Sequence, residues 1–116
     1  MNFIKQHSLQ DRREEALRVI EKYPDRVPIV CERSTSAAKD CPQIDKTKYL
    51  VPHDLSVGQF IWVIRKRMQL PPEKALYLFI NGSIPTSSSI IGEVYQTYKS
   101  EDQFLYITYS LENTFG

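Results

Sequence analysis

Cysteine and histidine are scarce in this sequence. Cys31 and Cys41 are its only two cysteines, with nine residues between them. Without a third or fourth partner they build neither a disulfide framework nor a cysteine-ligated metal site. They are predicted to be reduced thiols of a cytosolic protein, a single strand-to-loop disulfide being the alternative. His7 and His53 lie far apart and have no spaced Cys or His partners, so no metal and no cofactor is expected. Charge of one sign is lacking too: 15 Lys and Arg face 14 Asp and Glu, for a formal charge of +1. That balance excludes a strong global drive towards nucleic acid or acidic lipid. Long apolar runs are missing, since none approaches the ~18 residues that cross a bilayer. The first residues lack a signal-peptide core, and Asn2 excludes N-myristoylation. A cytoplasmic protein is expected, with any membrane attachment added later. No paired nucleophile and base, glycine-rich phosphate loop or catalytic spacing is visible, so an enzyme is not expected. Arg65-Lys66-Arg67 reads as a solvated helix end whose cations suit the dipole, not as a nucleic-acid patch.

What is present suits one globular domain spanning 1–116, with 41% hydrophobic and 25% charged residues. Ser8 to Asp11 has the form of a helix start. Leu9, Ala16, Leu17 and Ile20 then fall near one face of a surface helix of about three turns that ends before Pro24. The residues before Ser8 can add a short extra turn. Val27 to Arg33 reads as a strand, with Pro28 expected at its start because it cannot donate to a ladder. Residues 34–43 form a polar loop. Lys46 to Val51 is a second strand, whose lysines protect an exposed sheet edge.

Ser56 to Gln59 is a second capping box, after which Val57, Phe60, Ile61, Ile64 and Met68 keep helical spacing. Trp62 is expected to pack partly and is given no role. Ala75 to Ile80 is a third strand closed by the turn pair Asn81-Gly82. Ser87 to Ser89 can cap a last helix in which Ile91, Val94, Tyr95 and Tyr98 share a face. Phe104 to Tyr109 is the final strand, and the residues after it lack a packing pattern. Helix, two strands, helix, strand, helix, strand implies an α+β roll: a mixed sheet with a helix across one face.

This order resembles the ubiquitin-like modifiers of autophagy, the GABA-receptor-associated-protein-like family. The residues that carry the resemblance are Lys22 to Pro28, Asp45 to Pro52, Asp54 to Phe60, Ile64 to Arg67, Phe104 to Ser110 and the tail Glu112-Asn-Thr-Phe-Gly116. The tail and Leu70 to Lys74 look closest to the fungal and plant branch. The resemblance implies a ubiquitin-like β-grasp roll with a four-stranded sheet, an N-terminal helical extension over 1–24 and a flexible tail over 111–116.

It also implies a covalent role for Gly116. The family's C-terminal carboxylate is activated as an adenylate, passed to enzyme thiols and joined to the amine of phosphatidylethanolamine. Glycine suits that path because no Cβ obstructs a narrow groove. Two acyl chains then anchor durably where one is marginal. The implied partners are the activating and conjugating enzymes of autophagy, a processing and deconjugating cysteine protease, and the phosphatidylethanolamine membrane. The implied location is the cytoplasm, and the autophagosome membrane after conjugation. A non-conjugated adaptor in vesicle trafficking or microtubule binding is the alternative, and a protein lysine is the alternative acceptor.

The second strand supplies a docking surface in the family, where a peptide of the form aromatic-x-x-aliphatic adds to the free edge. Such peptides belong to cargo receptors and scaffold proteins. Carried over by position, Glu15, Val19, Pro28, Val30, Lys48, Leu50 and Phe104 line an aromatic pocket. Tyr49, Val51, Pro52, Leu55, Phe60 and Val63 line an aliphatic one. Alternation along the strand separates Lys46, Lys48 and Leu50 from Tyr49 and Val51. Lys46, Arg26 and Arg67 are placed to attract acidic residues of the peptide. Val19, Val30 and Val63 are smaller than the Ile or Leu common in the family, and the roomier aromatic pocket favours Trp over Phe. The chain departs from the family in a shorter N-terminal arm, a longer 34–43 loop, and Pro85-Thr86 in place of two prolines.

Overall fold

Two short helices begin the chain in the computed structural model, which describes residues 1–37 and 41–111. Helix α1 spans Asn2–Gln6 and α2 spans Leu9–Lys22. The Ser8 hydroxyl accepts the Asp11 N–H at 3.1 Å, which is the cap expected from the sequence. Strand β1 is Arg26–Arg33 and β2 is Lys48–Pro52. Helix α3, Val57–Met68, begins with a complete capping box of Ser56 and Gln59. Strand β3 is Tyr77–Phe79, helix α4 is Ile91–Tyr98 and strand β4 is Leu105–Ser110.

The sheet order is β2-β1-β4-β3. The inner pair β1 and β4 is parallel, and both outer pairs are antiparallel. A mixed sheet results, as the element order required. Helices α3 and α4 supply Val57, Phe60, Ile64, Ile91, Val94 and Tyr95 to the main core, against Val27, Ile29, Leu105, Ile107 and Tyr109. The opposite face carries a smaller cluster of Phe3, Ala16, Val30 and Phe104, roofed by α1 and α2. Both cysteines are buried thiols within the main core, which deprives Cys31 of water and pushes its pKa up.

Several expectations are corrected. Helix α2 has 14 residues, nearer four turns than three, and only Ala16 in it is buried. Leu9 and Leu17 stay 41% and 44% exposed. The helix is rolled so that Arg12 reaches Asp102 and Glu15 reaches Lys48, and small Ala16 lets it lie close to the sheet.

Pro28 does not start its strand: β1 begins at Arg26, and Pro28 sits opposite Leu50. Successive N–H groups of a strand point to opposite neighbours, and the Cys31 N–H goes to Thr47 O on the β2 side at 2.8 Å. The Pro28 nitrogen therefore faces β4, where pairing begins only at Ile29. Its missing donor costs nothing there.

Strand β2 runs Lys48–Pro52 instead of Lys46 to Val51, because Pro52 still pairs with Arg26. Strand β3 is half the expected length, although Leu76 and Ile80 on either side are buried. The Asn81-Gly82 turn is as expected: both residues have positive φ, 50° and 77°, and Ile80 bridges Ser83. Serine does not cap α4. Its N-cap is Ile90, and Ile91 and Gly92 donate to the carbonyls of Leu55 and His53 instead, each at 2.8 Å. Tyr98, expected on the inner face of α4, is 41% exposed. Trp62 does not pack either; it is 59% exposed, because Val57, Phe60 and Ile64 occupy the inner face of α3. The Lys66 ammonium lies 4.6 Å from the centre of its ring.

Candidate docking edge and its two flanking clusters

Among the described residues, strand β2 has a partner on one side only, so its outer backbone groups form a sheet edge. Its register against β1 sets Leu50 opposite Pro28 and Lys48 opposite Val30 on one face. Val51 opposite Val27 and Tyr49 opposite Ile29 lie on the other. One short strand thus sends Tyr49 and Val51 into the main core and turns Lys48 and Leu50 to the opposite face of the sheet.

On the α2 face, Val30 and Phe104 are buried and form a floor with Ala16. Leu50 of β2 and Val19 and Glu15 of α2 are half-buried. Lys48 Nζ contacts the Glu15 carboxylate at 2.9 Å. On the α3 face, Tyr49, Val51 and Phe60 are buried, and half-buried Leu55 and Val63 pack against the same core. The Tyr49 and Phe60 rings meet edge to face with centroids 5.5 Å apart. The Tyr49 hydroxyl donates to Lys46 O at 2.7 Å, and burial pushes its pKa up to about 12. Pro52 is exposed at the far end of the strand.

The three cations expected to draw acidic residues have these surroundings. Arg26 pairs with Pro52 in the ladder and lies 5.8 Å from the Tyr23 ring centre. Lys46 precedes the strand and lies 5.2 Å from the Tyr49 ring centre. Arg67 already contacts Asp45 through its Nε at 3.0 Å. Its neighbour Arg65 donates to the carbonyls of Lys74 and Pro71, fixing the turn after α3. Gly116 lies outside the described residues, as does most of the 111–116 tail.

Four residues at this site were not anticipated: Phe3, Arg12, Asp102 and Tyr106. Glu32 accepts the N–H groups of Asn2 and Phe3 at 2.9 and 3.0 Å, which holds α1 in place. Phe3 then meets Phe104 edge to face at 5.2 Å. Asp102 has no exposed surface; it accepts from the Arg12 guanidinium at 2.7 Å and from the Tyr106 hydroxyl. Burial, and then the bond to Asp102, push the Tyr106 pKa well up. The one sequence signal for this group was an acid two residues before Phe104, able to accept its N–H.

Among the described residues, no helix is long and apolar enough to cross a membrane. A family model described as "Autophagy protein Atg8 ubiquitin like" matches residues 11–116. Autophagy-related protein 8 of Candida glabrata is 49% identical over 99% of this chain and 96% of its own length. Autophagy-related protein 8d of Arabidopsis thaliana is 50% identical over 99% of this chain and 94% of its own. The crystal structure of Trypanosoma brucei ATG8 superposes with a TM-score of 0.89 at 42% identity, covering 95% of this chain and 93% of that one. With a matching family model over most of its length, the ubiquitin-like roll and relatives at about half identity, the chain belongs to the Atg8 family of ubiquitin-like autophagy proteins.

Proposed function

We propose that this protein is a ubiquitin-like modifier, itself a substrate of conjugating enzymes and not an enzyme, that docks extended peptides along β2. The observation that supports docking is the edge strand whose neighbouring residues Tyr49 and Leu50 lie on opposite faces of the sheet, Tyr49 in the main core and Leu50 on the face that carries Val30 and Phe104. A peptide adding to that edge places side chains i and i+3 far enough apart to use both. An aromatic residue suits the side floored by Val30 and Phe104. An aliphatic one suits the side formed by Val51, Leu55, Phe60 and Val63. Cargo receptors and scaffold proteins carrying such aromatic-x-x-aliphatic segments are the partners this reading requires.

The test is calorimetry of a Trp-x-x-Leu peptide against the wild-type chain and the Tyr49→Ala, Leu50→Ala double variant. Binding is expected to be abolished while the circular-dichroism spectrum stays native. Unchanged affinity in a folded variant refutes the reading. Tyr49 contacts Phe60 and is nearly buried, so Leu50→Ala alone is the gentler control.

The second part of the proposal is attachment of Gly116 to phosphatidylethanolamine, which takes the protein from cytoplasm to the autophagosomal membrane. Family membership is its support. Gly116→Ala should block lipid attachment in a reconstituted reaction read by intact mass. A lipid adduct on the variant counts against that role.

A further inference from the structure

Among the described residues, Asp102 is the charged side chain with no solvent exposure. A carboxylate removed from water is costly unless donors surround it. Its Oδ1 accepts the Phe104 N–H at 2.9 Å. Its Oδ2 accepts from Arg12 Nη1 at 2.7 Å and from the Tyr106 hydroxyl. Arg12 lies in the first turn of α2, ahead of Glu15, Ala16 and Val19. Phe104 directly precedes β4. Ala16 of α2 packs with Phe104 and Val30 on the sheet face that carries Leu50, and 90 residues of chain separate the two ends of the Arg12–Asp102 pair. Helix and floor are thus tied to one side chain.

We propose that Asp102 is the positioning residue of the aromatic pocket: by tying α2 to the start of β4, it sets how far the helix stands from the Phe104 floor and so selects which aromatic side chain enters. This inference rests on the peptide-docking reading above and adds what fixes the width of that pocket. Packed walls discriminate by small displacements, because neither overfilled nor underfilled volume is tolerated.

The test compares three peptides that differ only in Trp, Tyr or Phe at the aromatic position, with Leu at the aliphatic one. Affinities are measured by calorimetry on the full chain, with thermal denaturation alongside. In Asp102→Asn and Arg12→Gln the Trp-to-Phe affinity ratio is expected to change by about threefold or more, the scale of discrimination in apolar pockets. Replacing the peptide's Leu by Val should cost the same factor in variant and wild type, since that pocket lies on the other sheet face. A uniform loss over the three peptides, or unchanged affinities in folded variants, overturns the proposal and leaves the carboxylate a role in stability alone. If Asp102→Asn fails to fold, Arg12→Gln and Tyr106→Phe, each removing one donor, carry the same ratio test. If the wild-type chain binds none of the peptides, the docking reading is what fails. Helix-to-floor spacing is then read from nuclear Overhauser contacts between the Ala16 methyl and the Phe104 ring. These should weaken in Arg12→Gln, and unchanged contacts overturn the positioning role.

Discussion

Lys48 contacts the Glu15 carboxylate at 2.9 Å, joining the edge strand to helix α2. The same ammonium lies 5.5 Å from the centre of the Phe3 ring, so one cation touches all three elements on that face. The pair is open to solvent, with side-chain exposures of 51% and 29%. Solvent screening keeps its worth small, and Glu15→Gln is expected to lower folding stability by no more than about 1 kcal/mol. Urea denaturation measures this; a loss several times larger would mean the contact organises α2.

Phe3→Ala should do more. The ring is 7% exposed and packs with Ala16, Val30 and Phe104. A core Phe-to-Ala change costs about 3–5 kcal/mol, and a helix at the chain terminus that can detach should bring this nearer 2. Faster amide exchange in α1, with β1 and β4 unaffected, is the expected signature. Global unfolding on loss of this one ring would contradict a terminal helix that docks independently.

Gly92→Ala is expected to destabilise by about 1–3 kcal/mol, as overpacking does. A Cβ there would lie 2.8 Å from His53 Nδ1 and 3.0 Å from the His53 carbonyl oxygen. The side chain can rotate away, but the carbonyl accepts the Gly92 N–H at 2.8 Å and cannot. Thermal denaturation checks it. A wild-type midpoint would show that α4 shifts freely against the 53–55 segment.

Four of the seven tyrosines, Tyr49, Tyr95, Tyr106 and Tyr109, have raised pKa values, in each case first through burial. Three of their hydroxyls donate to backbone carbonyls, those of Lys46, Gln103 and Pro42, and the fourth to Asp102. A pKa higher in the folded than in the unfolded state makes stability complete below the unfolded value and drains it as pH rises through the folded one. The fold should therefore weaken from about pH 10, with Tyr49 titrating near 12. Tyrosinate absorbance should lag and then rise together with loss of near-ultraviolet circular dichroism. Full ionisation at pH 10 with an intact fold would contradict this.

Local chemistry was legible in the sequence, and long-range chemistry was not. Ser8 and Ser56 announce their helices because a cap involves residues three apart, and Asn81-Gly82 announces its turn for the same reason. Alternation in β2 told which side chains part company. Pro28 was misplaced because the strand its nitrogen faces arrives at the end of the chain. Apolar spacing points Leu9 and Leu17 inward because it carries no trace of Arg12 reaching Asp102. Size and apolarity suggest that Trp62 packs, yet its position on α3 decides otherwise. The docking residues were legible only through resemblance; from pattern alone, β2 was a lysine-protected edge.

Parallel pairing of β1 with β4 fixes where the chain leaves the sheet. Tyr109 is level with Arg33, and Val30 is level with Lys48, so Ser110 ends beyond the Lys48 end of β2 and away from Pro52. Lys48 is the end of β2 nearer that exit, and Pro52 is about 13 Å further from it at strand rise. The open edge therefore runs away from the point where the chain leaves β4, like a mast rising from its foot.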